Sequence, residues 1–116
     1  MAKLPNVDRA IVPGAKLTAY LLSHDHPRGR AKARFLESFG FSRGDCPGLH
    51  DALVAHAAAH EVSRQHPSQT GTRYEIGGPL PSPDGRAPVV RVVRFIDTGE
   101  DVPRLVTLVP SRMTRR

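Results

Sequence analysis

The sequence predicts a single α+β domain in which three N-terminal helices pack on a three- to four-stranded antiparallel sheet. Three observations carry this reading. The chain has 116 residues, the size of one ordinary domain. Apolar residues recur at helical spacing up to about residue 61 and at strand spacing from about residue 72. Turn signals at Pro83-Asp84-Gly85 and Thr98-Gly99-Glu100 then divide the later part into a meander, which needs helices over one face.

Asp8 to Val12 reads as a short extended piece closed by Pro13-Gly14. Leu17, Tyr20 and Leu21 share one face of a helix predicted over 16–23. His24-Asp25-His26-Pro27 ends it, because Pro27 disfavours helical geometry at His26. A second helix is predicted over 29–39, stopped by a left-handed cap at Gly40. Asp45 is the N-cap of a third over 48–61, with Pro47 in its first turn. The stretch 62–71 is polar, carries Pro67 and Gly71, and reads as a flexible loop. Strands follow over 72–80, 87–96 and 104–109, with a bulge expected at Gly77-Gly78. Residues 1–110 form the basic α+β domain, and 111–116 read as a disordered basic tail. The 10 Gly and 11 Pro sit at element ends, which favours a compact domain over disorder.

Seventeen Lys and Arg against eleven Asp and Glu give a charge of +6. Only Lys3, Lys16 and Lys32 are lysines, so the field is built from arginine, which suits two-pronged phosphate contacts. Such a field attracts polyanions, and RNA, DNA, an acidic protein or a membrane surface all qualify. With no Trp, two Tyr and four Phe, a stacking platform for single strands is poorly supplied. No run approaches the ~18 apolar residues of a membrane-spanning helix, and no membrane partner is expected. Pro5, Asn6 and Asp8 stand where a signal peptide would be apolar, so a cytoplasmic location, or delivery by a larger protein, is expected. Cys46 is the single cysteine, which excludes an internal disulfide and a cysteine zinc cluster.

The stretch from His24 to Arg34 concentrates the chemistry. At about 100° per residue, Ala31, Phe35, Leu36 and Phe39 define the buried stripe of the second helix. Lys32 projects inside that stripe, while Arg30 and Arg34 point away. Lys32 either snorkels to water or reaches a polar site at the core edge. In the second case it joins the helix N-terminus and Arg28 in a phosphate site, with His26 placed to exchange protons. His56 and His60 have zinc-ligand spacing, but only alanines intervene and no co-ligands are visible, so no metal is expected. In the sheet, Arg91 and Arg94 lie on opposite faces, so one of them sits among apolar side chains and needs a partner. Arg73, Arg91 or Arg94, and Thr107 meet on the open face, or the arginines pair across strands with Glu75, Asp97 or Glu100.

The block Lys16-Leu17, Tyr20-Leu21-Leu22, His26-Pro27, Gly29, Lys32-Ala33, Phe35 and Phe39-Gly40-Phe41 resembles an uncharacterised bacterial domain family. Tyr74, Asp84-Gly85 and Pro103-Arg104-Leu105-Val106-Thr107 extend the resemblance over nearly the whole chain. Members of that family stand alone or close phage-associated and polymorphic-toxin-like proteins. Its order of elements is similar to the barnase/EndoU/colicin/RelE-type ribonuclease superfold, whose enzymes generally need no metal and use the 2′-hydroxyl of RNA as nucleophile. Relatives tend to carry a Trp in the middle strand, and this chain has none.

The resulting expectation is a metal-independent endoribonuclease-like toxin domain without cofactor. His26 is the general acid or base, Lys32 with Arg73 or Arg91 neutralises the phosphate, and Thr107 orients the substrate. Arg28, Arg30, Arg34 and Arg94 bind RNA. The alternative is a non-catalytic basic adaptor for nucleic acid or for an acidic antitoxin or immunity-type protein.

Overall fold

Valine-rich strands and leucine-rich helices meet over one face of a twisted sheet. The computed structural model describes residues 3–111. Four strands run in the order β1 (Arg64–Pro67), β2 (Gly71–Pro79), β3 (Val89–Asp97) and β4 (Arg104–Pro110), each antiparallel to its neighbour. Alternation turns Tyr74, Ile76, Val90 and Val92 to one face, where they are buried with Leu105 and Leu108. Helices α2 (Arg30–Glu37) and α3 (Cys46–Ala59) complete the core with Ala33, Leu36, Leu49, Ala52 and Leu53. Asp45 caps α3 by accepting the Gly48 N–H at 3.3 Å, as its type and position dictate.

The expected three N-terminal helices are not found: two helices pack with the sheet. Over 14–21 there is only a single turn, α1 (Gly14–Lys16), which widens into a π-helical turn at Leu17–Leu21. The bond from Leu22 N–H to the Leu17 carbonyl, 2.8 Å long, marks the wider turn. Pro13 and the His24–Pro27 break leave room for little more. The wider turn brings Leu17, Leu21 and Leu22 all into the core, which a regular stripe does not allow.

Three further expectations are corrected. The polar stretch 62–71 contains β1, whose four residues are all exposed. An edge strand of this kind shows no apolar alternation, so its pattern imitates a loop. On α2 the buried positions are Ala33 and Leu36, while Ala31 is exposed and Lys32 partly exposed. Lys32 therefore flanks the buried stripe instead of lying inside it. The bulge lies between β3 and β4, where Val93 faces Thr107 and Arg94 faces Leu105, leaving Val106 as the extra residue. Gly77 and Gly78 pair regularly with Arg91 and Val90. Gly78 instead leaves room for His60, since a Cβ there would come within 2.7 Å of the imidazole ring.

Ser111 continues the β4 pairing by donating its N–H to the Val89 carbonyl at 3.0 Å. The rest of the expected tail lies outside the described residues. Among the described residues no helix is long and apolar enough to cross a membrane.

Candidate nucleic-acid cleft

Three pieces of chain meet at the outer edge of β4. The segment 14–21 supplies Lys16 and Tyr20, the following loop supplies His26 and Arg28, and the bulge supplies Val106 and Thr107. With Pro13 these residues line a cleft of about 630 Å³. The bulge explains why two neighbours on β4 both reach it. Leu105 and Leu108 are fully buried on either side, and the extra residue leaves Val106 and Thr107 together at the cleft.

The loop is pre-shaped by its own hydrogen bonds. Ser23 Oγ accepts the N–H groups of Asp25 and His26, each at 3.2 Å. His26 Nδ1 accepts the N–H of Arg28 at 3.0 Å and of Gly29 at 3.1 Å. A nitrogen that accepts two amide protons carries none, so the neutral imidazole keeps its proton on Nε2. The ring stands edge-on to Tyr20, with centres 4.8 Å apart, and Lys16 Nζ lies 5.3 Å from the Tyr20 ring centre. Tyr20 Oη and Thr107 Oγ1 share a hydrogen bond of 2.8 Å. Among the described residues the lining holds an ammonium, a guanidinium, an imidazole and two hydroxyls, and no carboxylate. Chemically it receives an anion and presents O–H and N–H groups to it.

Of the residues singled out in the sequence, His26, Arg28 and Thr107 converge here. Lys32, Arg30 and Arg34 lie on α2 outside the lining, the two arginines exposed. Arg73 and Arg91 lie on the face of the sheet away from the helices and converge on Glu75, at 3.4 and 3.7 Å, together with His66 at 3.3 Å. For Arg91 this is a cross-strand pair of the kind that stood as the alternative to a site, whereas Arg73 and Glu75 lie on the same strand. Arg94 offers RNA no surface, because it is fully buried. Its Nη2 donates to the Leu53 carbonyl at 2.9 Å, and among the described residues its Nε and Nη1 have no partner.

Lys16 and Tyr20 are the residues that sequence reasoning did not place in the site. They stand one helical turn apart on the segment that leads into His26, and that spacing was the available signal. The sequence places Tyr20 only by its helical spacing with Leu17 and Leu21. His56 and His60 are accounted for by the fold: each Nε2 donates to a β2 carbonyl, of Gly78 and Pro79, at 3.2 Å. Burial, the nearby His60 and Arg94 hold the His56 pKa down to about 4, against the bond to Gly78. Among the described residues no three His, Cys, Asp or Glu side chains come together as a metal site.

The fold is similar to a chain of a contact-dependent growth inhibition toxin–immunity protein complex from Klebsiella pneumoniae 342. The TM-score is 0.70 at 15% identity, covering 88% of this chain and 100% of that one. At that identity the likeness shows the fold alone. No curated protein matches the sequence. A family model does match, over residues 3–112, and the chain thereby belongs to the family described as a domain of unknown function, DUF6883.

Proposed function

We propose that this chain is a toxin-type domain that cleaves RNA without a metal, in the cleft formed by Lys16, Tyr20, His26, Arg28 and Thr107. The observation that carries the reading is the convergence of two cations, an imidazole N–H and a hydroxyl pair from three separate segments, with no carboxylate in the lining among the described residues. Lys16 and Arg28 hold the scissile phosphate, and His26 Nε2–H donates to a non-bridging oxygen. The RNA's own 2′-oxygen attacks phosphorus as the bond to the 5′-oxygen breaks, giving a 2′,3′-cyclic phosphate and a free 5′-hydroxyl. The 2′-hydroxyl proton passes to a non-bridging oxygen, the Tyr20 phenol protonates the leaving 5′-oxygen, and the phosphate proton then restores Tyr20. Thr107 fixes the phenol for this exchange.

The structural neighbour supports a toxin or immunity context, and it also favours a second reading. The same cationic cleft suits an acidic protein, so a basic adaptor without catalysis remains the alternative. Purified protein incubated with total RNA in EDTA separates the two. Cleavage leaving cyclic phosphate ends, lost in Tyr20→Phe with the fold retained, supports the enzyme. Intact RNA with folded wild-type protein overturns it and leaves the adaptor.

A further inference from the structure

The sheet face opposite the helices carries an ordered row of side chains. Strand pairing sets His66 opposite Arg73, Arg73 opposite Phe95, and Phe95 opposite Arg104. Tyr74, buried between Arg73 and Glu75, points to the core, so this row belongs to the other face. One row further on, Arg64, Glu75, Val93 and Thr107 stand opposite one another, and that row ends in the cleft. Neighbouring strands lie about 4.8 Å apart, so Glu75 and Thr107 are separated by roughly 10 Å of backbone.

The face is basic and pre-arranged. Glu75 lies low in it, 8% exposed, and gathers His66, Arg73 and Arg91. Each arginine meets Glu75 through a single nitrogen at ion-pair distance, Nη2 of Arg73 and Nε of Arg91. Both arginine side chains are about half exposed, at 49% and 50%. Arg104 is held by Asp97 at 3.0 Å and lies 5.4 Å from the Phe95 ring centre. The ring packs against Gly71, where an added Cβ would come within 2.5 Å of it, so its position is set by bare backbone. A flat ring between arginines is the arrangement that stacks a base while cations follow the backbone.

We infer that this face is the path by which a single-stranded RNA segment reaches the cleft, with Phe95 stacking a base and Arg73 and Arg91 holding phosphates. The inference rests on the RNA reading above and extends it: the substrate is a strand of several nucleotides crossing the sheet toward Thr107. A row of cation, ring and cation favours nucleic acid over an acidic protein, which needs no stacking surface.

Fluorescence anisotropy with labelled 2′-O-methyl RNA, which resists cleavage, tests it, using a hexanucleotide and a dinucleotide. The full chain should bind the hexanucleotide more tightly. Phe95→Leu, which keeps apolar bulk, should weaken hexanucleotide binding roughly tenfold. Arg73→Gln and Arg91→Gln should each weaken it and lower the salt slope by about 0.7. Dinucleotide binding should not change, and melting curves should show that the variants fold. Equal binding of the two lengths, no binding of either, or variants indistinguishable from wild type would overturn the inference. So would poly-glutamate binding as tightly as the hexanucleotide without dependence on Phe95, which assigns the face to an acidic protein. Cleavage of total RNA is scored separately. Cleavage with unaffected face variants sinks only the path, and tight hexanucleotide binding with intact RNA sinks only the catalytic reading.

Discussion

Tyr20 Oη lies 2.8 Å from Thr107 Oγ1, and this bond joins residues 87 positions apart. It closes the cleft by tying the helical segment 14–21 to the bulge on the edge strand. Both side chains have near-isosteric partners lacking the hydroxyl, so the bond can be removed from either end. Tyr20→Phe and Thr107→Val should each cost about 1 kcal/mol in urea unfolding, and the double variant less than the sum of the two. Cleavage should fall about a hundredfold in Tyr20→Phe. Strict additivity in the double-mutant cycle would show that the two hydroxyls are not coupled.

Gly29 decides whether the cleft exists at all. A Cβ at this position would sit 2.0 Å from the Tyr20 carbonyl oxygen, well inside contact distance, and that oxygen belongs to backbone. Gly29→Ala should therefore push the His26 loop away from the segment bearing Tyr20. The expected cost is about 1–3 kcal/mol in urea unfolding, together with lost activity. Gly14 has open space around its Cβ position, so Gly14→Ala serves as the tolerated control.

Much of this fold is legible from residue patterns, and the failures have identifiable causes. The runs around Leu49–Leu53 and Val89–Ile96 announce α3 and β3 because the first opens on Asp45 and Pro47 and the second is rich in valine and lies between turn residues. The segment 14–21 misleads because a π turn breaks the period that identifies a helix. β1 is invisible because both of its faces meet water. In the site, His26, Arg28 and Thr107 are recoverable from residue type alone. Tyr20 is not, because one side chain serves as both packing and polar contact, and only the bulge at Val106 reveals what it faces.

His56 makes stability pH-dependent in a defined window. Its imidazole is fully buried, its pKa is held down to about 4, and an unfolded histidine titrates near 6.5. Above pH 6.5 both states are neutral and nothing is lost. As pH falls from 6.5 to about 4 the unfolded chain takes up a proton that the folded one refuses, so stability declines. The total is about 3 kcal/mol. Below about 4 this contribution levels off, and the low-pKa carboxylates Asp84 and Asp97 take over the decline. Urea midpoints at pH 7.5, 6, 5 and 4 should show the drop, and His56→Gln should flatten it while retaining a donor for the Gly78 carbonyl. An unchanged slope in that variant would assign the pH dependence elsewhere.

Arg94 is the side chain the fold tolerates at greatest cost. It is fully buried, has a hydrogen bond to the Leu53 carbonyl, and leaves Nε and Nη1 without partners among the described residues. Burial lowers its pKa to about 10, so at neutral pH it still carries its charge into the core. That penalty is fully present below pH 10 and lifts only as pH rises beyond it, so ordinary conditions never relieve it. Arg94→Met keeps an unbranched side chain and removes the charge. The Leu53 carbonyl lies inside α3, where the helix's own N–H remains its partner. Stability should therefore rise, by about 1–4 kcal/mol, read as a higher urea midpoint with unchanged slope. The His56 pKa should rise as well, since the Arg94 charge is one of the causes that hold it down. Its pH decline should then span a narrower range. A loss of stability in Arg94→Met would show instead that the bond to Leu53 outweighs the buried charge and anchors α3 to β3.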